Sequence, residues 1–249
     1  MSTSFNLAWR LFKHEARRGE LTIILLAIVL SVAAVLSLSL FSERLQGALK
    51  ARSAAFIAAD AQLLSDDPIN EEWLIKAQEE GLSTALQVST RSMVFKGDEM
   101  SLVDLRAVNT SYPLKGIVNI AEKPFGEKQV TTELPQTGEV WVQSRLFQSL
   151  GLLIGDEIEI GDGTFTVTRV LVDIPDAGFS VFNTDPIALM NLDDLEKTAI
   201  TGPGSRARYV GFFAGDTGDI ERFNSWLLPQ LNDGLHSWRT VEDDESAIG

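Results

Sequence analysis

The sequence predicts an α+β body held by one transmembrane helix near its N-terminus, the body being a ferredoxin-like lobe with a β-rich lobe inserted into it. Three observations predict this. Residues 21–41 form a run of 21 without a single charge. Downstream, short apolar stretches alternate between a period of two and a period of 3.6 residues, in the order β-α-β-β and, near the end, β-α-β. Between these groups lies a stretch of alternating strands around Gly161-Asp162-Gly163, a strong hairpin signal.

The membrane run, Leu21 to Phe41, has only Thr22, Ser31, Ser37 and Ser39 as polar side chains. Hydroxyls can bond back to helix carbonyls, so lipid tolerates them. A helix of this length spans about 30 Å, the thickness of the hydrocarbon core. A cleaved signal peptide has a shorter apolar region, and a buried core helix is usually shorter and one-sided, so a retained anchor is expected. Ahead of it, Phe5, Ala8, Trp9, Phe12 and Ala16 recur at helical spacing, with Arg10, Lys13 and Arg17 on another face and Arg18 next to the span. Residues 1–20 therefore read as an amphipathic interfacial helix, with Phe5, Trp9 and Phe12 toward lipid and Arg10, Lys13, Arg17 and Arg18 toward headgroups. The short basic end is expected in the cytoplasm and residues 42–249 outside, because long domains translocate largely regardless of charge.

Residues 42–60 keep helical spacing without Pro and read as a helical stalk. A strand at Ala61–Leu64, a helix at Glu71–Glu80 and a hairpin of Ala85–Phe95 with Met100–Val108 follow. These make one lobe, 61–110, completed at 206–241 by a strand at Tyr209–Phe213, a helix at Ile220–Leu228 and a strand at Leu235–Val241. The inserted lobe, 111–205, has a strand at Glu139–Val142, a helix at Ser144–Leu150 closed by Gly151, and the hairpin Glu157–Ile160 with Thr164–Leu171. Strict alternation puts Phe165, Val167 and Arg169 on one face of the second hairpin strand, and Thr166, Thr168 and Val170 on the other. Asp193-Asp194 suit the start of a short helix. The apolar stretch Ala177–Phe182 follows Ile174-Pro175-Asp176. Its Phe179, Val181 and Phe182 are the candidates for contact with a partner or an apolar cargo, against the competing reading of core packing under a loop.

Composition removes several function classes. There is no Cys, which excludes disulfides, thiolate metal sites and a thiol nucleophile. Of 21 Lys and Arg and 35 Asp and Glu, four and two fall in residues 1–41, leaving 17 against 33 in residues 42–249. So acidic a body repels nucleic-acid phosphates, and no nucleic acid is expected. There is no phosphate-binding Gly-x-x-x-x-Gly-Lys loop. The two histidines, His14 and His236, fall on opposite sides of the membrane span, so they cannot share a site. No nucleophile elbow stands near His236. Carboxylates such as Asp66, Asp67, Asp173, Asp176, Asp193 and Asp194 could pair by chance among 35 acidic residues. No catalytic residue, metal site or cofactor is therefore expected.

Three stretches carry a resemblance. Val140 to Asp156, with Leu150-Gly-Leu at its centre, Gly155-Asp156 at its end and Gly161–Gly163 beyond, is similar to a strand, helix, Gly-Asp turn and hairpin of the FtsX-like and MacB-like ABC transporter permease superfamily. Thr201-Gly-Pro-Gly-Ser-Arg-Ala-Arg-Tyr209 and Ser101–Gly116, with Asn109-Thr-Ser-Tyr-Pro-Leu-Lys-Gly116, resemble its YbbP-type branch. With the anchor at residues 5–41 the likeness covers nearly the whole chain.

The resemblance implies a MacB-like periplasmic core, in which the ferredoxin-like lobe is porter-like, in the bacterial inner membrane. It implies a cytoplasmic ATPase subunit as partner, a permease homodimer, and mechanotransmission, in which ATP-driven motion of membrane helices reaches the outer domains. Lipid or another hydrophobic compound would be handled, with a periplasmic esterase as a further partner. It also implies that 242–249 is a truncated lead-in to a missing second transmembrane helix, so that the chain reads as an N-terminal fragment. The alternatives are a single-pass anchored binding or scaffold module and, behind it, an anchored hydrolase.

Overall fold

The computed structural model describes residues 20–56, 58–177, 185–202 and 204–240, with 20–22 and 42–56 as backbone alone. The interfacial helix, the Phe179–Phe182 stretch and residues 242–249 lie outside the described residues. Helix α1 runs from Glu20 to Phe56 without a break. Within it Ile23–Phe41 has a mean hydropathy of 2.9 and is nowhere buried, so by length and composition it can cross a membrane.

The body places eleven strands in one hydrogen-bonded system among the described residues. β1 (Ala61–Ser65) leads to α2 (Glu71–Glu79), whose start is capped by the Asn70 side chain accepting from Glu72 N and carries Glu71 and Glu72 at its positive end. β2 (Ser83–Lys96) and β3 (Glu99–Val108) form a long hairpin. β4 (Val118–Ala121), β5 (Gln129–Thr131) and β6 (Glu139–Gln143) follow, then α3 (Ser144–Ser149). β7 (Glu157–Ile160) and β8 (Gly163–Asp173) flank the Gly-Asp-Gly turn. β9 (Ile187–Asn191) runs into a 3-10 turn at Leu192–Thr198. β10 (Arg208–Ala214), α4 (Thr217–Leu227) and β11 (His236–Thr240) complete the body.

β2 is the joint of this architecture. Its first half, Ser83–Ser89, pairs with β10, and the order continues through β1 to β11, each pair antiparallel. Its second half pairs with β7 on the same edge, Val94 opposite Ile160. On its other edge β3 joins β9 in parallel, β9 joins β6, β6 joins β8 in parallel, and β8 returns to β7. Six strands thus close into a small barrel, which removes their exposed edges. Its interior holds Val94, Val103, Leu105, Val140, Val142, Ile158, Ile160, Phe165 and Met190, and Leu146 and Phe147 of α3 pack against this cluster. The open half has a separate core, where α2 and α4 cover one face with Trp73, Ala77, Ile220, Phe223 and Leu227 against Leu63 and Phe213.

One strand departs from the alternation. β6 and β8 shift register between Val140 and Trp141, whose partners are Val167 and Arg169, so Thr168 is bulged out of the ladder. A bulge inverts the parity of everything beyond it. Val170 therefore joins Phe165 and Val167 in the barrel interior. Arg169, expected inside, lies outside, its guanidinium 5.7 Å from the Trp141 ring centroid and 2.6 Å from Glu133 Oε2. Thr168 Oγ1 accepts from Trp141 Nε1 at 3.1 Å, which fixes the bulge.

The hairpin turn is held from outside too. Gly161 has φ of +59°, and a Cβ there would sit 1.9 Å from the Thr198 carbonyl oxygen. Asp162 N donates to that same oxygen at 3.0 Å. Asp194, fully buried, accepts from Gly138 N and from Lys197 Nζ, each at 2.6 Å. The 3-10 turn that Asp193-Asp194 open therefore ties the hairpin to the start of β6.

Candidate functional site

Residues 178–184 include all three candidates for contact with a partner or cargo, so the elements that hold the ends of this connection define the site. The hairpin of β2 and β3 presents two faces. Odd residues of β2 and even residues of β3 point out of the barrel, and Arg91 stands directly opposite Asp104, Ser89 opposite Arg106. Both arginines reach the connection. Arg106 Nη1 donates to Asp176 Oδ2 at 2.8 Å and to its carbonyl oxygen at 3.0 Å, while Nη2 donates to Asp104 Oδ2 at 3.0 Å. Arg91 Nε pairs with Asp185 at 3.2 Å. The Tyr112 hydroxyl donates to Asp176 Oδ1.

Gln143, at the end of β6, adds a third restraint. Its Nε2 donates to Val172 O at 3.3 Å and its Oε1 accepts from Ile187 N at 2.9 Å. One amide thus holds the strand that leaves for the connection and the strand that returns from it. Beside these anchors a cleft of about 630 Å³ borders Ala177 and Asp185, with Phe125, Leu171, Val172 and Ile187 as apolar walls and Gln143, Ser144 and Arg145 as polar ones. Phe125 is 65% exposed and adopts a positive φ of 58°.

The electrostatics of this cluster follow from burial and charge. Burial works against the Arg106 charge, but Asp176 and Asp104 outweigh it and hold the guanidinium above its ordinary value. Burial, reinforced by the Asp176 carboxylate, pushes the Tyr112 phenol well above its ordinary value of 10.0. Both groups keep their resting protonation at neutral pH, so the cluster is a fixed clamp and not a proton relay.

The other carboxylates singled out from sequence are dispersed. Asp173 is engaged by Asn119 and Lys128, Asp176 by Arg106 and Tyr112, and Asp194 by Gly138 and Lys197, while Asp66 and Asp67 shape the turn after β1. Among the described residues no group of three His, Asp or Glu side chains is placed to hold a metal ion. His236 Nδ1 accepts from Asn232 N at 2.9 Å, and its ring meets Trp73 edge-on with centroids 5.3 Å apart. That leaves Nε2 as the donor, in a structural setting. Arg91, Asp104, Arg106, Gln143 and Asp185 are contributors that residue pattern alone did not single out. Apart from the Asp104–Arg106 pair, their partners stand tens of residues away, and only Asp176, beside the apolar stretch, lay close to the signal.

Residues 21–227 match the family of the MacB-like periplasmic core domain. The chain belongs to that family. The match begins in the membrane-length helix and runs through the barrel to the end of α4, so helix and body are parts of one family pattern. The chain is 36% identical over 240 residues to the uncharacterized ABC transporter permease YbbP of Escherichia coli (strain K12), covering 96% of this chain and 29% of that protein. It therefore spans less than a third of the length of this curated relative. Among solved structures, the extracellular domain of the noncanonic ABC-type transporter YknZ from Gram-positive bacteria is similar with a TM-score of 0.50 at 13% identity, covering 72% of this chain and 98% of that one. The periplasmic region of MacB from Actinobacillus actinomycetemcomitans gives 0.49 at 8% identity, covering 78% and 95%. At such identities the likeness to YknZ concerns the fold alone. What the family and the permease relative establish is a periplasmic core domain of the ABC-permease kind, behind an apolar N-terminal helix.

Proposed function

We propose that these residues are the first membrane helix and periplasmic core of an ABC permease of the mechanotransmission type, handling lipid or another hydrophobic compound. Residues 1–20 would be cytoplasmic and 42–249 periplasmic at the bacterial inner membrane. A separate cytoplasmic ATPase would drive the motion, a second permease copy would complete the pair, and a periplasmic esterase would act on or receive the cargo. The observation that carries this reading is that the family match takes in the membrane-length helix and the body together. The unbroken helix from Glu20 to Phe56 supports a stalk at 42–60, because a continuous helix is stiff along its axis.

The order β11-β1-β10-β2, all antiparallel, supports reading 61–110 with 206–241 as a ferredoxin-like, porter-like lobe. Residues 111–205 would then be the inserted lobe. Phe179, Val181 and Phe182 would be its contact with partner or cargo, while Phe5, Trp9, Phe12 and the basic residues Arg10, Lys13, Arg17 and Arg18 would seat residues 1–20 at the inner membrane interface. The double ion-pair anchoring of the connection at Asp176 and Asp185 supports that role, since a contact segment must transmit force through fixed ends.

The test is hydrogen exchange on the whole permease with its ATPase in nanodiscs. Trapping the ATPase in its ATP state should change exchange within residues 58–240. Leu49→Pro, which breaks the helix, should abolish that change while leaving ATP binding intact. Exchange in the body that is indifferent to nucleotide would overturn the reading.

A further inference from the structure

A second cleft lies on the outer face of the same sheet, at Ser205–Arg208, within a stretch that carries the family resemblance and that the proposed function does not use. Arg208 opens β10 opposite Ser89 of β2, and Arg206 stands two residues before it, so both line one cleft of about 540 Å³ with Ser89, Thr90 and Ser205, which Arg91, Asp66 and Asp104 also border. Arg208 and Asp66 continue into an adjoining cleft of about 220 Å³ that Arg239 also lines. The volume of the first is within the range of small-molecule sites.

The charge state of this trough is unusual for the molecule. The chain carries a formal charge of −14, and most of its described cations find carboxylates: Lys76, Arg91, Lys96, Arg106, Lys115, Lys128, Arg169, Lys197 and Arg222 each make an ion pair. Among the described residues no ion pair reaches Arg206, Arg208 or Arg239. Arg206 and Arg208 make no ion pair with a described residue yet border one concavity with the Ser89, Thr90 and Ser205 hydroxyls, and of the two carboxylates there Asp104 is already held by Arg106, so the arrangement is a receptor for an anion. A carboxylate offers two coplanar oxygens, whereas a phosphate offers acceptors in several directions and matches donors on three sides. The walls of the first cleft are hydroxyl, guanidinium and carboxylate groups with Ala207 as the one apolar side chain, so the trough takes a polar head and gives no lodging to an acyl chain.

We propose that this trough binds a phosphate-bearing group of headgroup size, held by Arg206 and Arg208 with Arg239 at its far end. Asp66 on the shared rim and Asp233 in the far cleft are opposing charges that limit affinity for the anion, while Asp104 is neutralised by Arg106. The cleft shares Arg91 and Asp104 with the anchors of the connection at 176–185, but Arg206, Arg208 and Arg239 take no part in those anchors.

The probes are inorganic phosphate, glycerol 3-phosphate and a phosphatidic acid dispersed in mixed micelles, each titrated into the whole chain in detergent and followed by arginine side-chain NMR and calorimetry. Binding of the soluble phosphates at least as tight as that of the lipid assigns the site to a free anion, and tighter binding of the lipid assigns it to a headgroup; both support the shared chemistry. Arg206→Gln with Arg208→Gln should weaken binding roughly tenfold or more without moving the melting temperature, because both side chains are exposed. Asp66→Asn should tighten it several-fold. The proposal is overturned if none of the three probes shifts the Arg206 and Arg208 resonances, or if the double Gln variant binds like the parent.

Discussion

Replacing Arg106 by Met is the perturbation whose cost the structure fixes best. The Arg106 side chain is 11% exposed, and its two carboxylate partners, Asp104 and Asp176, are 11% and 7% exposed. Methionine fills much of the same volume but removes the charge, and two nearly buried carboxylates then face each other without a cation. Breaking one buried pair this way costs about 3–5 kcal/mol, and a second orphaned carboxylate pushes the value toward the upper end. For a body of this size each kcal/mol lowers the melting temperature by about 2–4 °C, so the variant should melt roughly 6–20 °C below the parent. Calorimetry or circular dichroism on the chain in detergent measures this. Adding Asp104→Asn and Asp176→Asn to Arg106→Met should recover much of the loss, because the orphaned charges go with the cation. A single variant that melts within about 2 °C of the parent, or a triple variant no better than the single, refutes the view that this cluster is a desolvated clamp.

Three other consequences are open to measurement. Tyr112 is raised above its unfolded value, so the stability it contributes is complete below about pH 10 and is lost as the pH rises toward its folded value; Tyr112→Phe should flatten the alkaline limb of the stability curve, and an unchanged limb would contradict the assignment. Gly161→Ala combines a positive φ with a Cβ inside the Thr198 carbonyl; strain alone costs about 1–3 kcal/mol, and urea unfolding should show at least that, whereas Gly97→Ala, with open space around it, should show less. The bulge at Thr168 makes Val170 interior and Arg169 exterior; Val170→Ala should cost about 2 kcal/mol and Arg169→Ala under about 1 kcal/mol, the reverse of what unbroken alternation requires.

What the sequence makes legible here is what is local. The turn Gly161-Asp162-Gly163 declares its hairpin because it needs a positive φ at its first position, and Asn70 with Glu71 and Glu72 declares the start of α2 within four residues. β9 does not declare itself: Ile187 to Met190 are all buried, so there is no alternation to see, and an apolar run of four fits a strand or a buried helix equally. β4 and β5, at four and three residues, are too short for any period to register. Barrel closure is harder still, for it rests on pairing Val94 with Ile160 and Asp104 with Ile187, across separations that no local rule spans. The candidate sites obey the same division. An apolar stretch after Asp176 stands out in one dimension, but the arginine that grips Asp176 lies 70 residues away, and the Arg206 trough exists only because β10 is laid against Ser89. Side chains that act by meeting across the sheet carry no mark in the sequence until the strand order is known. In this fold the strand that sets that order is β2, since it alone pairs with both halves.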